Sequence, residues 1–172
     1  MTQAAISTPR KRTNGRNISD PDEVTLDTRT GATGSIHDWM ERFAQCWTAP
    51  AERLEDMLAL LSDDVVLEAP TIPPRSEGKD DARAAFLNAF RMFPTLVGQV
   101  HRYSFAGEVL FIEWSQSAMI GKRRLSWRIV DRFLFRDGVA CERIAYFDAL
   151  RIRNAILASP ASILQYMRFR RG

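Results

Sequence analysis

The second half of the chain alternates apolar and polar residues over four long segments, and this alternation constrains the fold more than any other feature. The segments span residues 96–105, 108–120, 123–136 and 139–148. Short turns join them at Ala106-Gly107, Gly121-Lys122 and Asp137-Gly138. A period of two predicts β-strands, and turns this short connect antiparallel neighbours. The sequence therefore predicts a run of β-hairpins.

The residues before this run have helical spacing instead. Ser35 is a candidate N-cap, and the apolar residues after it form one helical face: Ile36, Trp39, Met40, Phe43 and Trp47. Thr48 to Pro50 are predicted to break this helix and to start a second one, which ends at Ser62-Asp63-Asp64. A third helix opens at Asp80 or Asp81 and stops at Pro94.

A short strand at Val65–Ala69, a loop over 70–78 and a last helical stretch over 149–170, broken near Pro160, complete the prediction. Helices come first and hairpins follow. This order predicts an α+β fold in which helices cover one face of an antiparallel sheet.

The domain organisation follows from length and composition. A chain of 172 residues suits one core. Residues 1–34 hold almost no large apolar side chains, so we expect a disordered basic and polar arm there. Residues 35–172 then form one domain with a C-terminal helical extension.

The net charge of +3 comes from the two ends of the chain. Acidic and basic residues are nearly balanced between them, so we expect no nucleic-acid-binding face. Recruitment of an acidic partner by the basic arm stays open.

Several other classes of protein are also not expected. No apolar run approaches the roughly 20 residues of a membrane span, and the first residues lack a secretory h-region. We therefore expect a cytoplasmic protein that is not associated with a membrane. Cys46 and Cys141 lie far apart, and His37 and His101 have no ligand-like companions, so we expect free thiols and no metal site.

Asp131 is the strongest candidate for a functional residue. In the strand 123–136 it alternates with Ile129 and Phe133 on the apolar face, whereas arginines occupy the other face. Burial there would raise its pKa and could keep the carboxyl neutral as a proton or hydrogen-bond donor. The alternative is a structural Asp that accepts hydrogen bonds inside the sheet.

Asp148 is the second candidate, at the end of the strand that contains Tyr146. A carboxylate at a strand end can meet both a buried ligand and water, and two carboxylates on adjacent strands could divide acid and base roles. Asp148 could equally cap the helix that starts after it. Tryptophans and phenylalanines could line an apolar cavity or be plain core, among them Trp47, Trp114 and Trp127.

Three motifs together resemble a known superfamily over about residues 36–152. They are "LLSDDVVLEAP", "EGKDDARAAF" and "VDRFLFRDGVACERIAYFDAL". The chain resembles the nuclear transport factor 2-like superfamily, which includes SnoaL-like polyketide cyclases, steroid Δ5-isomerases and limonene-epoxide hydrolases, and its last motif is typical of the SnoaL-like branch. The resemblance implies a conical cup of N-terminal helices on a curved antiparallel sheet, often dimeric through the outer face of the sheet.

The resemblance also implies roles for individual residues. Of the steroid isomerase site, the oxyanion Asp falls at Asp131, whereas the base falls at Ala69 and the oxyanion Tyr at Phe43. Of the epoxide hydrolase site, an Arg and an Asp fall at Glu113 and Ser115. The general acid/base carboxylate of the SnoaL-like cyclases resembles Asp148.

Two functions remain open from the sequence. The first is a cofactor-free acid/base enzyme, of cyclase, isomerase or hydratase/hydrolase type, acting on a bulky apolar small molecule such as a polyketide, terpenoid or steroid. Its catalytic residues would be Asp148 and Asp131, and the substrate-binding residues would be Phe43, Trp47, Trp114, Trp127 and Tyr146. The second is a small-molecule-binding or assembly protein that kept the cup and lost the chemistry.

Overall fold

The structure is a computed structural model that describes residues 32–71 and 75–158. Residues 1–31 of the expected arm, and the helical extension beyond residue 158, lie outside the described residues. Side chains are described from Ile36 onward within these ranges.

The helices of the described chain are α1 (Ala32–Cys46), α2 (Leu54–Leu58), α3 (Lys79–Met92) and α4 (Ala149–Leu157). Because α1 begins at Ala32, Ser35 lies inside this helix and is not its N-cap. Residues 32–34 likewise belong to the helix and not to the arm. Packing of the apolar face stabilises α1, and helix propagation then includes the preceding turn.

The strands are β1 (Leu61–Glu68), β2 (Arg75–Glu77), β3 (Val97–Ala106), β4 (Val109–Ile120), β5 (Arg123–Arg136) and β6 (Val139–Tyr146). The four hairpin strands lie within two residues of their predicted bounds. β1 begins earlier than predicted because Leu60 accepts a backbone hydrogen bond from Ala140 at 3.0 Å, which draws Leu61 into the sheet. β2 lies in a segment that the sequence predicts as loop.

The six strands form one curved open sheet in the order β2-β1-β6-β5-β4-β3. All neighbours are antiparallel except β1 and β6, which run parallel. The predicted α+β class is confirmed, but the sheet is mixed and not purely antiparallel. Hairpin turns fix the direction of consecutive strands, whereas the β1–β6 pairing joins distant segments that no turn constrains.

The core lies between the helices and the inner face of the sheet. Trp39 of α1 packs edge-on against Phe133 and Phe135 of β5, with ring centroids 5.0 Å apart in both pairs. Its indole N–H also donates to the Leu60 carbonyl at 2.9 Å. At the C-terminal end of α1, the Gly98 N–H donates to the Trp47 carbonyl at 2.8 Å. These contacts fix α1 over the inner face of β3 to β5.

Candidate active site

The alternation in β5 produces the buried face that the sequence predicts. Asp131 is 0% exposed, and its neighbours on this face, Ile129 and Phe133, are also buried. On the opposite face, Arg128 pairs with Glu113 of β4, and Arg132 pairs with Glu142 of β6. The acidic side chain therefore faces the core while the arginines of the same strand face outward.

Asp131 does not stand alone in the core, because Arg143 of β6 pairs with it. Arg143 Nε donates to Asp131 Oδ2 at 2.9 Å, and Nη2 donates to Oδ1 at 3.1 Å. The guanidinium carbon lies 5.8 Å from the ring centroid of Trp114 and 5.9 Å from that of Phe133. A bidentate ion pair enclosed by aromatic rings is thus the polar centre of the interior.

The electrostatics of Asp131 combine opposing effects. Burial raises its pKa above the ordinary value, whereas the charge of Arg143, its hydrogen bonds and a hydrogen-bonding interaction with the Trp114 indole act to lower it. The net direction is upward because the carboxyl is fully removed from water. Both carboxyl oxygens nevertheless accept from the guanidinium, which is the arrangement of an ionised carboxylate.

Arg143 was missed by sequence reasoning because of an irregularity in β6. Asp137 and Gly138 form the turn with φ values of 53° and 81°. A regular hairpin on this turn would place Ile144 opposite Asp131 and direct Arg143 outward. Instead, the register shifts by one residue after the Phe135–Ala140 pair, so that Phe133 lies opposite Arg143. A one-residue shift exchanges the two faces of a strand.

The same shift decides the position of Tyr146. It pairs with Val130 on the outer face of the sheet and is 55% exposed. The structure therefore does not place Tyr146 beside Asp131, although the sequence proposes it as a substrate-binding residue. A regular hairpin would have directed it inward.

Asp148 lies at the surface, just beyond the end of β6. Its Oδ1 accepts a hydrogen bond from the Arg151 backbone N–H at 3.0 Å, and it is the N-cap of α4. Oδ2 makes no hydrogen bond within residues 32–71 and 75–158. The structure thus shows the capping contact and leaves one carboxylate oxygen available.

Three of the predicted aromatic residues lie together. Phe43 packs against Trp114 with ring centroids 5.5 Å apart, and Trp47 packs against Trp114 at 4.6 Å. Trp127 is also buried but contacts Phe93, with ring centroids 5.8 Å apart. The structure therefore groups Phe43, Trp47 and Trp114 in one cluster, of which Trp114 lies beside Arg143, and Trp127 packs against Phe93 instead.

One of these tryptophans has an unusual feature. The indole N–H of Trp47 is buried and makes no hydrogen bond in the described part of the chain, whereas the buried Trp114 indole interacts with the Asp131 carboxyl and helps to lower its pKa. Most buried polar groups in proteins are hydrogen-bonded, as Trp39 is to Leu60. The interior therefore contains one buried indole donor, that of Trp47, without an acceptor among the described residues.

Among the residues that the structure describes, no three His, Cys, Asp or Glu side chains are grouped so that they could hold a metal ion. No helix in the same ranges is long and apolar enough to cross a membrane.

Comparison with known protein families identifies the family of this chain. The sequence matches the SnoaL-like domain family over residues 39–145, more than half of the chain. The protein belongs to the SnoaL-like family. The matched range includes α1 from Trp39 onward, the hairpin strands as far as Ala145 and both members of the ion pair. The resemblance predicted from the three motifs is confirmed.

Solved structures show the same fold. An NTF2-like protein from Anabaena variabilis is 18% identical, with a TM-score of 0.61 over 72% of this chain and 96% of that one. A Jannaschia protein proposed to be a SnoaL-like polyketide cyclase is 19% identical, with a TM-score of 0.64 over 74% and 94%.

TerC, which was co-crystallised with polyporic acid, is 12% identical, with a TM-score of 0.60 over 72% of this chain and 96% of that one. No curated protein matches the sequence at a significant level. At these identities, the solved structures establish the fold of this SnoaL-like protein and not its reaction.

Proposed function

We propose that this SnoaL-like protein is an acid/base enzyme that acts on a bulky apolar small molecule such as a polyketide, terpenoid or steroid. The observation that carries the proposal is the Asp131–Arg143 ion pair, buried beside the rings of Trp114 and Phe133. Structural support within one core rarely needs a charge pair, because apolar residues of similar volume stabilise as well. A fixed positive charge in a water-poor interior does, however, suit a reaction in which negative charge develops.

The proposed reaction moves a proton at a carbon next to a carbonyl. A carboxylate removes that proton, the electron pair moves toward the carbonyl oxygen, and the resulting enolate takes a proton back at another carbon or attacks an electrophilic carbon. Cyclisation, isomerisation and hydration can all use such a step. It requires no cofactor, because the protein's own groups provide the base and the positive charge.

The ion pair changes the role proposed for Asp131. The sequence favours a neutral carboxyl that donates to the oxyanion, but both of its oxygens accept from Arg143. Arg143 Nη1 makes no hydrogen bond among the described residues, so this nitrogen is the proposed donor to the oxyanion. Asp131 is then a positioning residue that orients the guanidinium. Asp148 stays the proposed proton carrier because its Oδ2 is available.

The localisation and the oligomeric state of the protein stay predictions. The protein is expected in the cytoplasm. It is also expected to form a homodimer through the outer face of the sheet, where Phe111, Val130 and Tyr146 are 39%, 42% and 55% exposed.

Exchange of deuterium into ketones tests the proposed chemistry without knowledge of the natural substrate. The protein is incubated in D₂O with 1-tetralone and with a steroid 3-ketone, and exchange next to the carbonyl is followed by ¹H NMR. We expect acceleration by the wild type and a loss of about 100-fold in Asp148→Asn, the usual contribution of a general base. Asn caps helices as well as Asp, so the melting temperature should be unchanged.

Asp137→Asn is the matched control, because Asp137 is exposed in the β5–β6 turn and Asn tolerates its positive φ of 53°. It should exchange both ketones at the wild-type rate. Wild-type exchange rates in Asp148→Asn would exclude Asp148 as the proton carrier. Absence of exchange in the wild type with both ketones would contradict the enzymatic proposal.

The second candidate function is non-catalytic binding of the same class of molecule. Its support is that Asp131 uses both oxygens to hold Arg143, while Asp148 caps α4. Both carboxylates therefore have structural contacts. A protein that binds polycyclic ketones and never accelerates deuterium exchange would fit this function instead.

A further inference from the structure

Helix α4 has apolar residues on two opposite faces, and only one of these faces is covered. Ile152 is 9% exposed and belongs to the core, against which Ile156 also packs. Leu150 and Leu157, in contrast, are 57% and 58% exposed. Seven residues make about two helical turns, so the two leucines lie in line along the solvent side of the helix. We call this pair the leucine strip.

Arginines flank the leucine strip on both sides. At about 100° per residue, Arg153 lies roughly 60° from Leu150 around the helix axis in one direction, and Arg151 lies roughly 100° away in the other. Both arginines are exposed, and neither makes an ion pair within residues 32–71 and 75–158. The solvent side of α4 therefore presents exposed leucines between two positive charges.

The sequence that contains α4 adds to this charge. Residues 149–172 include five arginines and no Asp or Glu. The same stretch is also rich in large apolar residues, which after α4 are Ile163, Leu164, Tyr166, Met167 and Phe169. Basic and apolar residues combined in this way are typical of segments that bind the surface of an anionic membrane.

A lipid surface satisfies both parts of this arrangement. Anionic headgroups attract the arginines, and the acyl chains just below them remove the leucines from water. Nucleic acid would satisfy only the arginines, because its phosphate backbone offers no apolar surface to the leucine strip. The alternation of leucine and arginine around α4 therefore favours phospholipid.

We propose that α4 docks the protein on an anionic phospholipid surface, with Leu150 and Leu157 at the acyl boundary and Arg151 and Arg153 among the headgroups. No helix in the described ranges could span a bilayer, but a surface helix lies in the plane of the interface and needs no such length. The proposal revises the expectation of no membrane association, which the sequence supports only through its lack of a spanning run. It goes beyond the proposed reaction and does not depend on it.

Sedimentation of the full chain with vesicles tests the proposal. One set of vesicles is phosphatidylcholine alone, and the other is an equimolar mixture with phosphatidylserine. We expect the wild type to bind the mixed vesicles at least about tenfold more tightly. The double variant Leu150→Gln, Leu157→Gln should bind them about tenfold more weakly, because its side chains gain nothing at the acyl boundary. Arg151→Gln with Arg153→Gln should cost about 30-fold, roughly fivefold for each charge.

Two matched controls remove the same kinds of side chain elsewhere. Leu87→Gln replaces a leucine that is 37% exposed on α3. Arg91→Gln with Arg123→Gln removes two exposed charges from α3 and β5. Both controls should bind the mixed vesicles within about twofold of the wild type, because neither changes α4. All replaced side chains are exposed, so the melting temperatures should match that of the wild type.

Several results would overturn the proposal. If the leucine double variant binds as tightly as the wild type, charge alone attracts the protein and the leucine strip does not enter lipid. If the arginine double variant binds unchanged, the positive charge that matters lies elsewhere in the chain. A wild type that fails to sediment with the mixed vesicles would also overturn it. A smaller mass of the leucine double variant by light scattering would then assign the leucine strip to a contact with a second copy of the chain.

Discussion

At the scale of single residues, Asp131 and Arg143 determine the electrostatics of the interior. Each neutralises the other where water is excluded, so their joint contribution to stability is small but the loss of one partner is severe. The pair as a whole is therefore expected to contribute little to holding the sheet together. This difference between the pair and its members is measurable.

Asp131→Asn leaves the Arg143 guanidinium buried without its counter-charge and should lower the free energy of unfolding by about 3–5 kcal/mol. The double variant Asp131→Leu, Arg143→Met replaces the pair by apolar groups and should recover most of the loss. Urea denaturation followed by circular dichroism measures both, with Asp137→Asn as a control near wild-type stability.

A double variant that is as unstable as Asp131→Asn would show that the pair itself, and not the unpaired charge, holds the core together. In that case the functional interpretation of Arg143 loses its main support.

The candidate site was only half predictable from sequence. Asp131 was predictable because strict alternation from Trp127 to Phe135 fixes which face it occupies. Arg143 was not, because its face depends on a register shift of one residue in β6, and no residue type there announces a shift. In the sequence, a polar residue that a bulge directs inward cannot be distinguished from a polar residue on the outer face of the strand.

At the scale of secondary-structure elements, β3 must approach α1 closely where the strand begins. Gly98→Ala introduces a methyl group that overlaps the buried rings of Trp114 and Trp47. The rings cannot move without displacing other core residues. The free energy of unfolding should therefore fall by about 1–3 kcal/mol, the usual cost of overpacking. Thermal denaturation measures this change.

Gln99→Ala serves as the comparison, since Gln99 is the adjacent residue and its side chain is exposed. If both alanine variants have the melting temperature of the wild type, the contact between β3 and α1 is looser than described.

The outer face of the sheet is crossed by ion pairs that should make stability depend on pH. Glu113 of β4 contacts Arg102 of β3 and Arg128 of β5, and these arginines hold its pKa below the ordinary value. A carboxyl with a lowered folded-state pKa stabilises the fold above its unfolded-state pKa, which is about 4.3 for Glu. That contribution disappears as the pH falls through the folded-state value.

Glu113→Gln should therefore be less stable than the wild type at pH 7, and the difference should vanish in the acid range below about pH 4. Chemical denaturation at several pH values tests this. Glu52→Gln should show no such dependence, because exposed Glu52 makes no ion pair within the described residues. A stability difference that is constant with pH would show that the network does not contribute through charge.

Among the elements, the hairpin strands were the most predictable, because their turns contain glycine and their residues alternate without interruption. β1 was less so. Ser62, Asp63 and Asp64 have the character of a helix end, but pairing with β6 recruits this polar stretch into the sheet, with a register shift between Leu61 and Val66. Long-range pairing overrode the local preference.

At the scale of the whole molecule, the exposed apolar side chains of the sheet bear on assembly. Val130 and its cross-strand neighbour Tyr146 lie on the outer face, and Phe111 of β4 is exposed on the same face. Val130→Glu would place a charge in the predicted dimer interface. We expect a dimer mass for the wild type and a monomer mass for the variant by light scattering.

Leu87→Glu is the matched control, since Leu87 lies on α3 and is 37% exposed. It should remain a dimer. A wild type that is monomeric at micromolar concentration would contradict assembly through the sheet.

The parallel contact between β1 and β6 has a consequence for biosynthesis. β1 leaves the ribosome early, yet its central partner β6 is the last strand of the described sheet to be made. Of the four strands between them in the chain, β3, β4 and β5 form hairpins in the meantime. Until residue 146 has emerged, β5 presents an open edge that other nascent chains could join. Closure of the sheet must therefore wait for nearly the whole domain, and we expect this late docking to limit the folding rate.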